Sequence, residues 1–433
     1  MPLDVIVGLQ RGDEGKGRFV DLLAGNYSVV ARGNGGSNAG HTVIPKNDNE
    51  PLALHQVPSG IAYPGKLNII GNGLYLDPVR LLDEFRAINQ AGLKLSPENL
   101  LISSATHLVL PHHKLQDALR EATPEAQGST KAGIAYVAAD KYLREGVRLE
   151  GILESSGALK SRALESLKKV NQLIPKARQL SQSNIDKQVA EWLAATDKLK
   201  PFMADTAEII NEKLQAGAQV LAEGAQAFWL DINHGMYPAV TSSNTTVSGL
   251  LDGLGVSAKQ LGKVIGVTKA VKSHVGNGPL VTEVTDAALA DNVRGPLGKT
   301  DSEYGVTTKR PRRIGFPDLV ELRNAILING VDELAISKLD HVPRYGSSVP
   351  LATTYTYLGK ERRTAPASAL ALAKCKPNYQ ILDTWKEELS EIRKFNDLPA
   401  NAAKFVEFFE TELAITVTRI GVGPRRPQVI IKS

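Results

Sequence analysis

Short hydrophobic runs alternate with stretches of helical period along most of this chain. Val5-Ile-Val7 breaks at Gly8, and Phe19, Val20, Leu22 and Leu23 follow at helical spacing. Tyr27 to Ala31, Lys66 to Ile70, Asn99 to Ile102, Gln219 to Ala222, Val264 to Thr268 and Glu333 to Ile336 read as further buried strands. Leu351 to Tyr357, Ile415 to Ile420 and Gln428 to Ile431 add strand patterns near the end. Asp77 caps a helix that has Pro78 at its first position and Val79, Leu81, Leu82, Phe85 and Ile88 on its apolar face. Asp318 to Leu327 and Ala402 to Leu413 read as helices. The alternation predicts the α/β class: a single large domain over 1–433, with a mainly parallel central β-sheet flanked by helices. Residues from about 153 to 216 form a mostly helical subregion with Lys and Gln on its polar faces.

Composition narrows the function classes. The 433 residues are 42% hydrophobic and 22% charged, which is ordinary for a globular protein. A formal charge of +5 suits an anionic small molecule, and no Lys/Arg tract interleaved with aromatics points to nucleic acid. Cys375 stands alone, which excludes an internal disulfide and a multi-cysteine zinc site and fits a reducing compartment. The N-terminus enters a strand directly, and no apolar run nears the ~18 residues of a membrane span. The expectation is a cytoplasmic enzyme without membrane or nucleic-acid partners.

The strand at Val5 runs into Gly8-Leu-Gln-Arg-Gly-Asp-Glu-Gly-Lys-Gly-Arg18. A strand, a glycine-rich turn and a helix start make a P-loop-like phosphate cradle, with Lys16 as the mobile cation. The spacing is shorter than a Walker loop, and no Ser or Thr follows the lysine. Asp13 sits inside the loop instead, where a carboxylate would repel phosphate unless a metal or a proton transfer intervenes. It reads as a metal ligand, a general base, or both; an isolated Asp-Glu-Gly would more often be a plain turn.

A second glycine loop, Arg32 to Val43, ends near His41 and predicts the other wall of one crevice at the strand ends. Gln127 to Ala135 is a third small-residue loop. Glu223 to Gln226 and Val240 to Thr246 line a pocket, or else form a hydroxyl-rich turn. Glu303 to Gly315 packs cations among hydroxyls and glycines, as an anion-binding loop does. Ser337-Lys-Leu-Asp340 follows a buried strand and is similar to the Lys-x-Asp element that reads guanine. Gly421 to Arg426 forms a turn that can cover a base or ribose. His112, His113 and Asp117 are spaced so that the adjacent imidazoles diverge on a helix, which predicts a polar surface rather than a metal pair.

Together these stretches resemble the adenylosuccinate synthetase family. The likeness rests on Gly12-Asp-Glu-Gly-Lys-Gly-Arg18, Gly35-Gly-Ser-Asn-Ala-Gly-His-Thr42, Glu223-Gly-Ala-Gln226, Tyr237 to Thr246, Tyr304-Gly-Val-Thr-Thr308 and Lys338-Leu-Asp340, in family order. The resemblance implies a ligase of purine nucleotide biosynthesis that joins IMP to L-aspartate, driven by GTP and passing through 6-phosphoryl-IMP. It implies catalytic roles for Asp13, His41, Lys16 and Gln226, and Mg2+ held by Asp13 and the Gly40 carbonyl. GTP contacts carry over to Gly12, Asp13, Glu14, Gly15, Lys16, Gly17, Arg18, Gly40, His41, Thr42, Arg312, Lys338, Leu339, Asp340, Gly421, Val422 and Gly423. IMP contacts carry over to Asp13, Lys16, Asn38, Ala39, Gly40, His41, Thr130, Arg144, Gln226, Thr241 and Arg310. Aspartate contacts carry over to Val306, Thr307, Thr308, Lys309, Arg310 and Arg312. A homodimer is implied, with Arg144 lent across the interface.

The chain departs from the family pattern at Ser37, at Lys131-Ala132 in the third loop, at Lys309 in the aspartate loop, and at Gly421-Val-Gly-Pro424. Two rival readings bear on these sites. One is the related phage class that aminates (d)GMP to 2-aminoadenylosuccinate, some members of which lose the loop Asp; here Asp13 and Asp340 are both kept. The other is a non-catalytic GTP-binding regulator, which would need neither His41 nor the Arg310–Arg313 cluster.

Overall fold

A computed structural model describes residues 2–43, 51–124, 126–299, 301–305 and 310–432. The strands of its main sheet are β1 (Leu3–Gly8), β2 (Val29–Arg32), β3 (Leu67–Ile70), β4 (Leu100–Ser103), β5 (Met203–Ala204), β6 (Val220–Glu223), β7 (Leu261–Lys269), β8 (Glu333–Ser337), β9 (Thr416–Gly421) and β10 (Val429–Ile431). They lie in the order β10-β9-β8-β7-β1-β6-β2-β3-β4-β5. Every neighbouring pair is parallel except the terminal β9–β10 hairpin. The expected mainly parallel sheet is therefore present, and its strands are nearly continuous apolar runs because both faces are covered.

β1 stands at the switch point. Chain that follows it builds outward on one side through β2, β3 and β4, while β7, β8 and β9 build outward on the other. β6, from much later in the sequence, inserts between β1 and β2. Loops leaving the carboxyl ends of β1, β6 and β2 thus share one rim, where ligands of such sheets bind.

The principal helices are α1 (Lys16–Ala24), α2 (Pro78–Gln90), α3 (Pro111–Arg120), α4 (Ile134–Leu143), α5 (Ser156–Gln172), α6 (Gln182–Asp197), α7 (Thr206–Gln215), α8 (Val247–Leu254), α9 (Leu319–Asn329) and α10 (Ala400–Leu413). α2 starts as its sequence predicts, with Asp77 accepting from the Arg80 amide at 3.3 Å and Pro78 at the first position. Three long helices, α5 to α7, fill most of 153–216. One core gathers around β1, β6 and β7 and continues to Phe405 and Phe409 of α10. A second joins α2, α5 and α6 beneath β3 and β4, with Trp192 buried. No described helix is long and apolar enough to cross a membrane.

One expectation is overturned. His112, His113 and Asp117 are buried at 6%, 1% and 5% exposure, not on a polar surface. The backbone N–H of Leu110 donates to His113 Nδ1 at 3.0 Å, so the ring proton sits on Nε2 and donates to Asp140 at 2.9 Å. That tautomer offers no free Nε2 lone pair to a metal. The cluster ties α3 to α4, a tertiary contact that helix spacing alone does not reveal.

Candidate active site

The first glycine loop folds as a tight cradle. Gly12 and Gly15 take φ of +90° and +83°, and Gly15 hands the chain to α1. Asp13 between them holds φ 60°, a strained setting for a non-glycine residue. The Glu14 side chain accepts from the Gly12 amide at 2.8 Å and from Lys16 Nζ at 2.7 Å. Glu14 and Lys16 are both buried, so the lysine expected to be mobile is instead held at the loop's inner wall. Asp13 Oδ2 lies 2.8 Å from Arg312 Nη2.

His41 comes from the second loop and packs against α1. A Cβ on Gly17 would sit 2.8 Å from the His41 Cβ, so only glycine permits this approach. The His41 Nδ1 pairs with Glu223 at the end of β6. Glu223 is fully buried and also accepts from the Ser59 amide and hydroxyl, each at 2.7 Å. Burial alone would raise its pKa, but His41 and Arg32 draw it down to about 2, so it stays ionised. Burial in turn pushes the His41 imidazole below its ordinary value against the pull of Glu223. A neutral ring donating from Nδ1 leaves its Nε2 as an open acceptor. Glu223 is the partner of His41 that the sequence reading left without a role; its place at a strand end just before Gly224 was the available signal.

Gln226 follows at φ 54°, and both atoms of its buried amide lack a protein partner. Strain together with an unmet amide marks a group kept for a ligand. Asn38 Nδ2 donates to Thr241 Oγ1 at 3.3 Å. The third loop hangs from α3. Asp117 accepts from Ser129 Oγ and the Gly133 amide, and Glu121 accepts from the Gln127 and Gly128 amides, all at 2.7–3.0 Å. Lys338, at φ 58°, ends β8 and reaches the Asp301 carbonyl at 3.0 Å. Arg18 donates to the carbonyls of Arg425 and Gln428 at 2.9 and 2.6 Å, which fixes the terminal turn over α1.

These elements enclose one cavity of about 1690 Å³. Its lining includes Gly12, Asp13, Gly15, Lys16, Gly17, Arg18, Asn38, Ala39, Gly40, His41, Thr42, Thr130, Gln226, Thr241, Arg312, Lys338, Asp340 and Gly423. Glu14, Leu339, Gly421 and Val422 lie behind the lining, all buried. Arg310 is exposed, and its guanidinium comes within 3.4 Å of where a Cβ on Gly128 would stand. Arg144, at φ 63° on the end of α4, is exposed and not part of this cavity's wall. Val306, Thr307, Thr308 and Lys309 lie outside the described residues. Asp13 and Gly40 both line this cavity, and a carboxylate and a peptide carbonyl are oxygen donors of the kind Mg2+ prefers.

Comparison with known proteins finds relatives over the whole chain. The profile of the family described as Adenylosuccinate synthetase matches residues 5–430. The adenylosuccinate synthetase of Caldicellulosiruptor bescii is 40% identical over 431 residues, covering 99% of this chain and 98% of its own. That of Acetivibrio thermocellus is 40% identical over 433 residues, with both chains covered in full. The fully ligated adenylosuccinate synthetase of Plasmodium falciparum superposes with a TM-score of 0.91 at 32% identity, covering all of both chains. The cyanophage S-2L succinoaminodeoxyadenylate synthetase, bound to dGMP and dATP, shares the fold at a TM-score of 0.57 and 21% identity, covering 99% of this chain and 95% of its own. The chain belongs to the adenylosuccinate synthetase family of GTP-dependent ligases.

Proposed function

We propose that this cavity joins IMP to L-aspartate in two steps, with Asp13 and His41 as the groups that move protons and steady charge. The observation that carries the reading is that both side chains, from loops on different strands, line one cavity with Lys16 and Gln226. The carboxylate of Asp13 takes the N1 proton of IMP, so the 6-oxygen gains charge and attacks the γ-phosphate of GTP. Phosphoryl transfer asks for positioning and charge stabilisation rather than a protein nucleophile. Lys16 and the amides of the Gly12–Gly17 cradle hold the phosphates. His41 meets the transferred group with Nε2. Burial holds the imidazole below its ordinary value, and the ring gains its proton as triphosphate charge approaches, with Glu223 stabilising the imidazolium that results. The amine of aspartate then displaces phosphate from C6, a good leaving group in place of a poor oxide.

Asp13 and Gly40 are the residues that would hold Mg2+, which when bound offsets triphosphate charge. Asn38, Thr130 and Thr241 hold the monophosphate, Gln226 the purine, and Lys338 and Asp340 the guanine of GTP. Val306 to Lys309, Arg310 and Arg312 receive aspartate. Arg144 stands outside its own subunit's cavity on an exposed helix end beside Tyr142 and Leu143, which are 74% and 64% exposed; this supports its delivery to a second subunit in a homodimer. A cytoplasmic setting goes with this reading.

The test is incubation with GTP, aspartate and either IMP or dGMP, read by product mass. Adenylosuccinate from IMP is the expected product. A 2-amino-2′-deoxyadenylosuccinate product from dGMP, with none from IMP, would instead assign the chain the phage-type activity.

A further inference from the structure

Glu303 is fully buried and lines no part of the cavity, yet it touches two side chains that do. Its Oε1 pairs with Lys338 Nζ. Its Oε2 lies 2.5 Å from Arg312 Nη1, 2.6 Å from Ser273 Oγ and 3.4 Å from Lys269 Nζ. The carboxylate's own backbone is pinned: its amide donates to the Arg294 carbonyl at 2.8 Å, and its carbonyl accepts from the Arg312 amide at 3.0 Å. Glu303 and Arg312 therefore pair through their backbones next to the Tyr304–Pro311 bridge.

The two oxygens serve different regions. Arg312 holds Asp13 with its other nitrogen, at the proposed phosphoryl-transfer centre. Lys338 stands two residues before Asp340, at the proposed guanine corner. Lys269 is a third, fully buried cation on the same carboxylate. Burial would raise the pKa of Glu303, but Lys269, Lys338 and Arg312 hold it well below the usual carboxylate range, so it is a fixed anion. Without it, Lys269 and Lys338 would lose their carboxylate partner and Arg312 would keep only Asp13, an arrangement that strongly disfavours their present positions.

We infer that Glu303 is a positioning residue that sets the distance between the base-reading Lys338–Asp340 corner and the Arg312–Asp13 centre. The inference rests on the roles given above to Lys338 and Arg312. It predicts that moving one buried carboxylate disturbs base selection and turnover together, although it touches neither ligand.

Glu303→Asp keeps the charge and withdraws the carboxylate by about 1.5 Å, one carbon–carbon bond. Lys269→Met with Glu303→Gln removes one cation together with the anion and so leaves the net charge of the pocket unchanged. Folding is checked by thermal melting. In either folded variant, the KM for GTP is expected to rise about tenfold and kcat to fall about tenfold, with weaker preference for GTP over ITP. Folded variants with wild-type constants and wild-type base preference would overturn the proposal. Failure of both to fold would assign Glu303 to stability alone and overturn it equally. Calorimetric binding of GTP and ITP separates this inference from the reaction itself. If the wild-type protein forms no adenylosuccinate, the functional reading falls, while reduced GTP–ITP discrimination in the variants still supports the positioning role.

Discussion

Asp13, Gln226 and Lys338 all hold backbone conformations that L-residues seldom adopt, with φ of 60°, 54° and 58°. With Lys131 and Arg144 they make five of the seven positive-φ non-glycine residues among those described, and all five lie in stretches singled out for chemistry. Such strain costs on the order of 1–3 kcal/mol at each position and persists where function over-determines the geometry. Asp13→Ala is expected to leave the fold intact and cut phosphate release by about a thousandfold, within the usual range for a general base. Turnover near wild type would remove Asp13 from the mechanism. His41→Ala should lower kcat more than it changes the KM for IMP; an effect confined to KM would count against a role in the chemical step. The residue types were legible in the sequence, since glycine, aspartate and lysine between a strand and a helix have few other uses. Their partners were not. Glu223 for His41, Glu14 for Lys16 and Arg312 for Asp13 come from distant segments or from side-chain directions that spacing does not encode. Those pairings carry a pH consequence. The folded-state pKa of His41 lies below its ordinary 6.5, so the unfolded chain binds the proton better and stability falls as pH drops below 6.5. Glu223, held at about 2 against an ordinary 4.5, adds stability above pH 4.5 that is lost as pH falls toward 2. Thermal melts from pH 7 downward should show both losses, and a melting temperature flat over this range would contradict the buried pair.

The elements explain why the side chains meet. Three neighbouring strands, β2, β6 and β1, release their loops on one rim, so residues near 13, 41 and 226 converge. The two glycine loops as walls of one crevice were readable, because each follows a buried strand. That β6 separates those strands was not, since nothing local to residues 220–223 names its neighbours. The His112–His113 segment shows the converse limit: helix spacing argued for divergence and a wet surface, but packing of α3 on α4 buried both rings. At this scale Gly17 is the tightest constraint. Gly17→Ala puts a methyl 2.8 Å from the His41 Cβ, so α1 or the second loop must shift. We expect kcat to fall at least tenfold with only a modest change in melting temperature; full activity would show that His41 tolerates displacement from the cradle.

For the molecule as a whole, the exposed end of α4 makes the cavity a shared property of two subunits in our proposal. Mixing an inactive Asp13→Ala protein with an inactive Arg144→Leu protein should restore activity. In random mixed dimers, half of the dimers carry one intact site, which amounts to about a quarter of the wild-type sites. No recovery after subunit exchange would place Arg144 outside the shared site. The central claim is that one cavity moves a phosphoryl group from GTP to the 6-oxygen of IMP before aspartate adds. The most direct measurement uses IMP carrying a heavy oxygen isotope at position 6, with mass analysis of the phosphate released in the presence of GTP and aspartate. The isotope is expected to leave in the phosphate, one label per adenylosuccinate formed. Unlabelled phosphate, with the isotope lost to water or kept on the purine, would contradict it.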